Sequence, residues 1–103
     1  MEPDESYRRF ELALAYYARG DRPAADAALS ELVAKDRDVF AYQIAQVYAW
    51  RGEDEKAFEW LQIAFDNRDT GLQSLLIDPF MRGLNKDGRY HDMLVKVGLP
   101  AKL

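Results

Sequence analysis

The chain of 103 residues has no cysteine and a single histidine. Without thiols, disulfides and thiolate metal sites are excluded, and a reducing compartment, the cytoplasm, is the expected location. The one histidine, His91, has only Asp87 and Asp92 near it in sequence. Neither spacing forms a ligand set, so His91 is expected to be an exposed helix residue and no metal or cofactor is expected. Long apolar runs are missing too: none approaches the roughly 18 residues that a membrane span needs. The opening Met1-Glu2-Pro3-Asp4-Glu5 is acidic and lacks the apolar stretch of a signal peptide. Basic residues are scarce relative to acidic ones, 14 against 18, and cluster nowhere beyond Arg8-Arg9. A net charge of -4 without a basic face argues against nucleic acid and against anionic membrane as partners. Asn67 and Asn85 lack the downstream Ser or Thr of a glycosylation acceptor.

Reactive constellations are equally thin. Ser6, Ser30 and Ser74 have no neighbouring base, and no glycine-rich phosphate loop occurs. Glu53, Asp54, Glu55 and Glu59 fall at a helix start, where carboxylates complement the helix dipole. An enzyme is therefore not expected.

What the chain does have is apolar material: 49% hydrophobic and 13% aromatic residues. That composition is incompatible with disorder, and the length fits one domain. Two segments match at an offset of 32 residues, pairing Ala13 with Ala45, Tyr16 with Tyr48, Arg19 with Arg51, Gly20 with Gly52, Ala25 with Ala57 and Leu29 with Leu61. Each segment reads as two helices around a glycine suited to a left-handed turn. In repeat one (about 6–35), Ser6 is expected to cap a helix over 6–19, and Pro23 to open a second helix running from about 21 to 35. Asp36-Arg37-Asp38 is the expected connector. In repeat two (about 38–66), helices are expected over 39–51 and 55–66. Small alanines at 25 and 57 let the paired helices approach closely, with Tyr16 and Tyr48 packing over that contact. Arg19-Gly20-Asp21 spells an adhesion tripeptide, but its counterpart Arg51-Gly52-Glu53 marks it as turn chemistry.

The remaining stretch, about 71–98, is expected to be a helical cap. It holds one or two helical turns over 72–77, a short helix over 79–84 after an Asp78 cap and Pro79, and a last helix over 89–97. Gly98 is expected to end that helix, with Pro100 beyond it, and Tyr90, Met93, Leu94 and Val97 form its apolar stripe.

The doubled spacing Leu-Ala-x-x-Tyr-x-x-x-Gly, followed by Ala five residues on and Leu four later, resembles the tetratricopeptide repeat, a helix-turn-helix unit that stacks into a right-handed superhelix. The family period is about 34 residues, so a shortened inter-repeat loop is implied. The family tryptophan is replaced by Arg9 and Ala41, and the family proline by Arg37 and Asp69. Over 45–100, the strings Val47-Tyr48-Ala49-Trp50-Arg51-Gly52-Glu53, Ala57-Phe58-Glu59-Trp60-Leu61, Asp78-Pro79-Phe80 and Val97-Gly98-Leu99-Pro100 resemble the final repeat of bacterial tetratricopeptide proteins. Such tails are attached to cyclase-like enzymes, winged-helix regulators or kinases. Where they carry Asp-Pro-Arg-Phe before the last helix, this chain has Asp87-Gly88-Arg89-Tyr90.

The resemblance implies a protein–protein interaction module whose partner, a protein or peptide, lies in a concave groove lined by Tyr7, Phe10, Leu14 and Tyr17 from repeat one and Tyr42, Gln43, Gln46 and Trp50 from repeat two. It equally allows a C-terminal regulatory fragment of a larger bacterial signalling enzyme or transcription regulator, or a homodimerisation domain. The clamp by which some members grip acidic peptide C-termini is not implied, because its places hold Phe10, Leu14 and Gln46. Residues 7, 10, 14 and 17 form one helical stripe, and Leu12, Ala13, Ala15 and Tyr16 a second apolar face on the same helix. A helix apolar nearly all round expects cover on both sides. Three covers are open for the stripe: the N-terminal residues or the cap of the same chain, a neighbouring repeat or second copy meeting the first helix, or a bound apolar peptide.

Overall fold

Two glycines set the two tight reversals of the chain. Gly20 and Gly52 have φ of +79° and +76°, in the left-handed region that side-chain-bearing residues avoid. Around them, a computed structural model describes residues 3–99 as α-helices α1 (Pro3–Ala18), α2 (Arg22–Asp36), α3 (Ala41–Trp50), α4 (Asp54–Asp66) and α5 (Gly88–Val97). Two 3-10 helices, Thr70–Ser74 and Pro79–Leu84, lie between α4 and α5. The protein is all-helical, with no strand among the described residues. Met1, Glu2 and Pro100 lie outside the described residues.

Helix α1 packs along α2 and α3 along α4, while α3 also touches both helices of the first pair. Ala13, Ala25, Ala45 and Ala57 have no exposed surface, so the small side chains sit where helix backbones come together. A single apolar cluster runs from Ala13 to Leu94 and takes in Ile44, Val47, Leu61, Leu75, Met81 and Leu84. Tyr48 packs against this cluster partly buried, and Tyr16 is also partly buried. Of the expected second face of α1, Ala13 is buried but Ala15 is exposed.

Several element ends differ from expectation, each for an identifiable reason. Ser6 does not cap α1, which begins at Pro3. Ser6 sits inside the helix, and its hydroxyl donates to Asp36 Oδ1 at 2.7 Å. Asp36 is not connector: it is the last residue of α2 and only 1% exposed. Its carboxylate draws two further hydrogen bonds from Arg9, through Nε at 2.8 Å and Nη2 at 3.1 Å. Donors supplied by α1 thus carry α2 onward to this residue. Helix α3 starts at Ala41, leaving Val39 in the turn. The cap's first two elements are 3-10 rather than α-helical. Asp21 and Asp78 act as N-caps, accepting from Ala24 N at 3.2 Å and Phe80 N at 2.9 Å, with proline in the first turn of each helix. Asp87 is a further N-cap, accepting from Arg89 N at 2.9 Å, and α5 begins one residue earlier than expected, at Gly88. Gly98 ends α5 in the left-handed conformation. Tyr90, Met93 and Leu94 are buried and Val97 partly so, as the stripe requires.

Candidate functional site

The eight residues singled out from sequence lie on α1 and α3, and the structure divides them. On α1, Tyr7 is 50% exposed and meets Phe40 edge-on at 4.9 Å between ring centroids. Phe10 and Leu14 are partly buried against the core. Tyr17 is partly buried: its hydroxyl donates to the Arg51 carbonyl at 3.3 Å, and the guanidinium groups of Arg22 and Arg51 lie 5.4 and 5.1 Å from its ring centre. Arg51 is itself spoken for, paired with Glu53 through Nε at 2.8 Å and with Asp26 through Nη2. Its Nη1 is buried without a hydrogen-bond partner. Tyr17 therefore belongs to a joint between the two helix pairs, anchored by a buried arginine, more than to an open wall.

On α3, Tyr42 is 2% exposed and does not present its ring to an open groove. The physical reason is its hydroxyl, which donates to Asp78 Oδ2 at 2.6 Å and draws the side chain beneath the cap. Burial, reinforced by the hydrogen bond to the Asp78 carboxylate, pushes the phenol well above its ordinary range, so it stays a donor at any relevant pH. Gln46 Nε2 donates to the same Asp78 oxygen at 2.7 Å. Gln43 is partly buried and takes no part in this set. Trp50, at the end of α3, remains 45% exposed.

The cap closes over part of this face. Phe80 of the second 3-10 helix stands edge-on to Phe10 at 6.5 Å and to Trp50 at 5.8 Å. Phe10, Tyr42, Gln46 and Trp50 are thereby gathered around Asp78-Pro79-Phe80, while Tyr7 and Tyr17 sit with other neighbours. Asp78 and Phe80 are the members that sequence reasoning missed. Asp78-Pro79 carries a local capping signal that accounts for itself, which hides the carboxylate's second role. The available clue was the α1 stripe, which needed an apolar cover from somewhere.

Clefts also lie elsewhere. One of about 510 Å³ is lined by Phe65, Arg68, Leu72 and Val97 among others, and one of about 410 Å³ by Ser30, Tyr48, Arg51 and Lys56 among others. His91, expected to be exposed, is partly buried on α5. Among the described residues, no three His, Cys, Asp or Glu side chains are grouped to hold a metal ion, and no helix is long and apolar enough to cross a membrane. Comparison of the chain with protein-family models, curated proteins and solved structures finds no match.

Proposed function

We propose that this chain is a protein-interaction module of two tetratricopeptide-like hairpins with a C-terminal cap, binding a protein partner on the face shared by α1 and α3. It acts by recognition rather than catalysis. The observation that carries this reading is Trp50: a tryptophan 45% exposed, edge-on to Phe80, beside a face that also holds Phe10. Large rings held rigidly by other rings lose little entropy on binding and dominate interface energies.

Trp50→Ala tests it. Truncating a central aromatic anchor typically costs at least about 2 kcal/mol of binding, roughly thirtyfold in affinity. A half-exposed ring costs folding much less, so the variant should keep its melting temperature within a few degrees. A photo-crosslinker placed at Arg82, on the exposed side of the cap, identifies the partner in the native host without altering the tryptophan. Affinity for that partner is then measured by calorimetry for wild type and Trp50→Ala. Equal affinities remove Trp50, and with it this face, as the site. Self-association is a second reading, favoured by Tyr7, 50% exposed and in ring contact with Phe40, and by Val39, the residue before Phe40, 62% exposed. Light scattering that returns a monomer mass across concentration rules it out.

A further inference from the structure

The α1/α3 face already holds a ligand, and that ligand is part of the same chain. The contact is polar and directional. Tyr42 Oη and Gln46 Nε2 converge on Asp78 Oδ2 at 2.6 and 2.7 Å, while Asp78 Oδ1 accepts from Phe80 N at 2.9 Å. Two residues on, Phe80 is only partly buried and is met edge-on by rings from two different helices, Phe10 and Trp50. The preceding residues, Leu76 and Ile77, are 44% and 80% exposed. Leu75 and Met81, both with no exposed surface, pin the segment at its two ends. Residues 76–80 are therefore a short strap across the face, fixed at each end in the core and held at its middle by the buried Asp78, with Leu76, Ile77 and Pro79 exposed.

We infer that this face recognises a protein segment that turns as Asp78-Pro79-Phe80 does at the start of the second 3-10 helix, presenting a carboxylate two residues ahead of an aromatic ring, and that residues 76–80 are the resident stand-in which such a partner displaces. The inference rests on the reading of this face as the partner site and gives the partner its chemistry. Donors meet both oxygens, Tyr42 and Gln46 at Oδ2 and Phe80 N at Oδ1, which favours a carboxylate over an amide, whose NH₂ group would have to face one of them. The edge-on slot between Phe10 and Trp50 takes a flat ring in preference to a branched aliphatic chain. Proline between the two groups fixes φ and holds them at their spacing.

The probe is a capped peptide of the strap's own sequence, Leu-Ile-Asp-Pro-Phe, titrated into Phe80→Ala. Emission of Trp50 reports binding, because Trp60, the other tryptophan, is 5% exposed and stays in the core. A saturable change is expected. Affinity should fall at least about tenfold when the peptide carries Asn for Asp or Ala for Phe, the usual weight of one charge-assisted hydrogen bond or one aromatic anchor. Binding that ignores both changes overturns the inference, as does no saturable change with a folded variant. Wild-type protein supplies a reading that needs no variant to fold. With the peptide at millimolar concentration, hydrogen exchange at the Phe80 amide must quicken as the strap leaves; unchanged exchange overturns the inference. A strap exchanged between two copies, seen as a dimer by light scattering, also overturns it, since the occupant is then a second copy. Should the peptide fail while Trp50→Ala still loses its partner, the interaction face stands and only displacement of the strap falls.

Discussion

Asp36 has no exposed side-chain surface, and the hydrogen bonds to its carboxylate come from α1: the Ser6 hydroxyl and the Arg9 guanidinium, which is itself 12% exposed. The Arg9 hydrogen bonds hold the carboxyl below its ordinary range against the opposing effect of burial, and Ser6 adds to them. Removing one partner of such a pair costs more than the pair contributes, because the other charge is stranded. Arg9→Ala should therefore be clearly destabilising at pH 7, measured by urea titration. A carboxyl whose pKa is depressed by folding stabilises the protein above the unfolded value and loses that stabilisation as pH falls. In wild type the loss begins near pH 4 and continues below it. Without Arg9 the carboxyl loses its main support against burial, so the variant lacks most of the stabilisation that wild type loses on acidification. The stability gap between wild type and Arg9→Ala must narrow as pH drops from 7 toward about 3. A gap independent of pH would show that the charge of Asp36 is not what Arg9 supports.

Asp69 does for whole elements what Asp36 does for a residue pair. Its Oδ1 accepts from Gly71 N at 2.8 Å, starting the first 3-10 helix, and its Oδ2 accepts from Tyr42 N at 3.1 Å, satisfying an amide in the first turn of α3. The two elements meet so closely that a Cβ on Gly71 would lie 2.8 Å from Tyr42 Cδ2 and 2.9 Å from Cγ. The ring cannot retreat without breaking its bond to Asp78. Gly71→Ala should cost about 2 kcal/mol by overpacking, whereas Gly83→Ala, with nothing within 4 Å of the added carbon, should stay within about 0.5 kcal/mol. Thermal melts of the two variants check the contrast, and equal shifts would mean that the 3-10 helix moves freely on α3. This joint also marks the limit of what the sequence alone discloses. Glycine reversals at 20 and 52, the Asp21 and Asp78 caps and the α5 stripe are legible because their causes lie within a turn or two of chain. Ser6 with Asp36, Asp69 with Tyr42 and Asp78 with Tyr42 are separated by 30, 27 and 36 residues. Local pattern assigns Asp36 to a connector and Asp78 to a cap, gives Asp69 no role, and is silent about the distant donor of each. The candidate face follows the same rule: Trp50 and Gln46 enter through the resemblance to the tetratricopeptide repeat, and nothing local marks their neighbour Phe80.

At the scale of the whole molecule, the cap and the helix pairs share one apolar cluster. Leu72, Leu75, Met81 and Leu84 come from the segment between α4 and α5, and Tyr90, Met93 and Leu94 from α5 itself. Each such side chain contributes about 1.5–3 kcal/mol when fully buried, and a domain's entire margin is about 5–15 kcal/mol. Ending the chain after Asp69 therefore removes more burial than the remaining helix pairs can spare, and it uncovers Tyr42 and the side of α3 that meets the second 3-10 helix. The truncated protein should keep much of its helical circular dichroism, lose a cooperative melt and bind a hydrophobic dye, as collapsed chains without fixed packing do. A cooperative melt from that fragment would show that the hairpins stand alone and the cap is an addition. If cooperativity is lost, the α1/α3 face exists only in a chain that also carries the strap across it. Opening of that face must then be local, confined to residues 76–80 between the buried anchors Leu75 and Met81, and not a detachment of the cap.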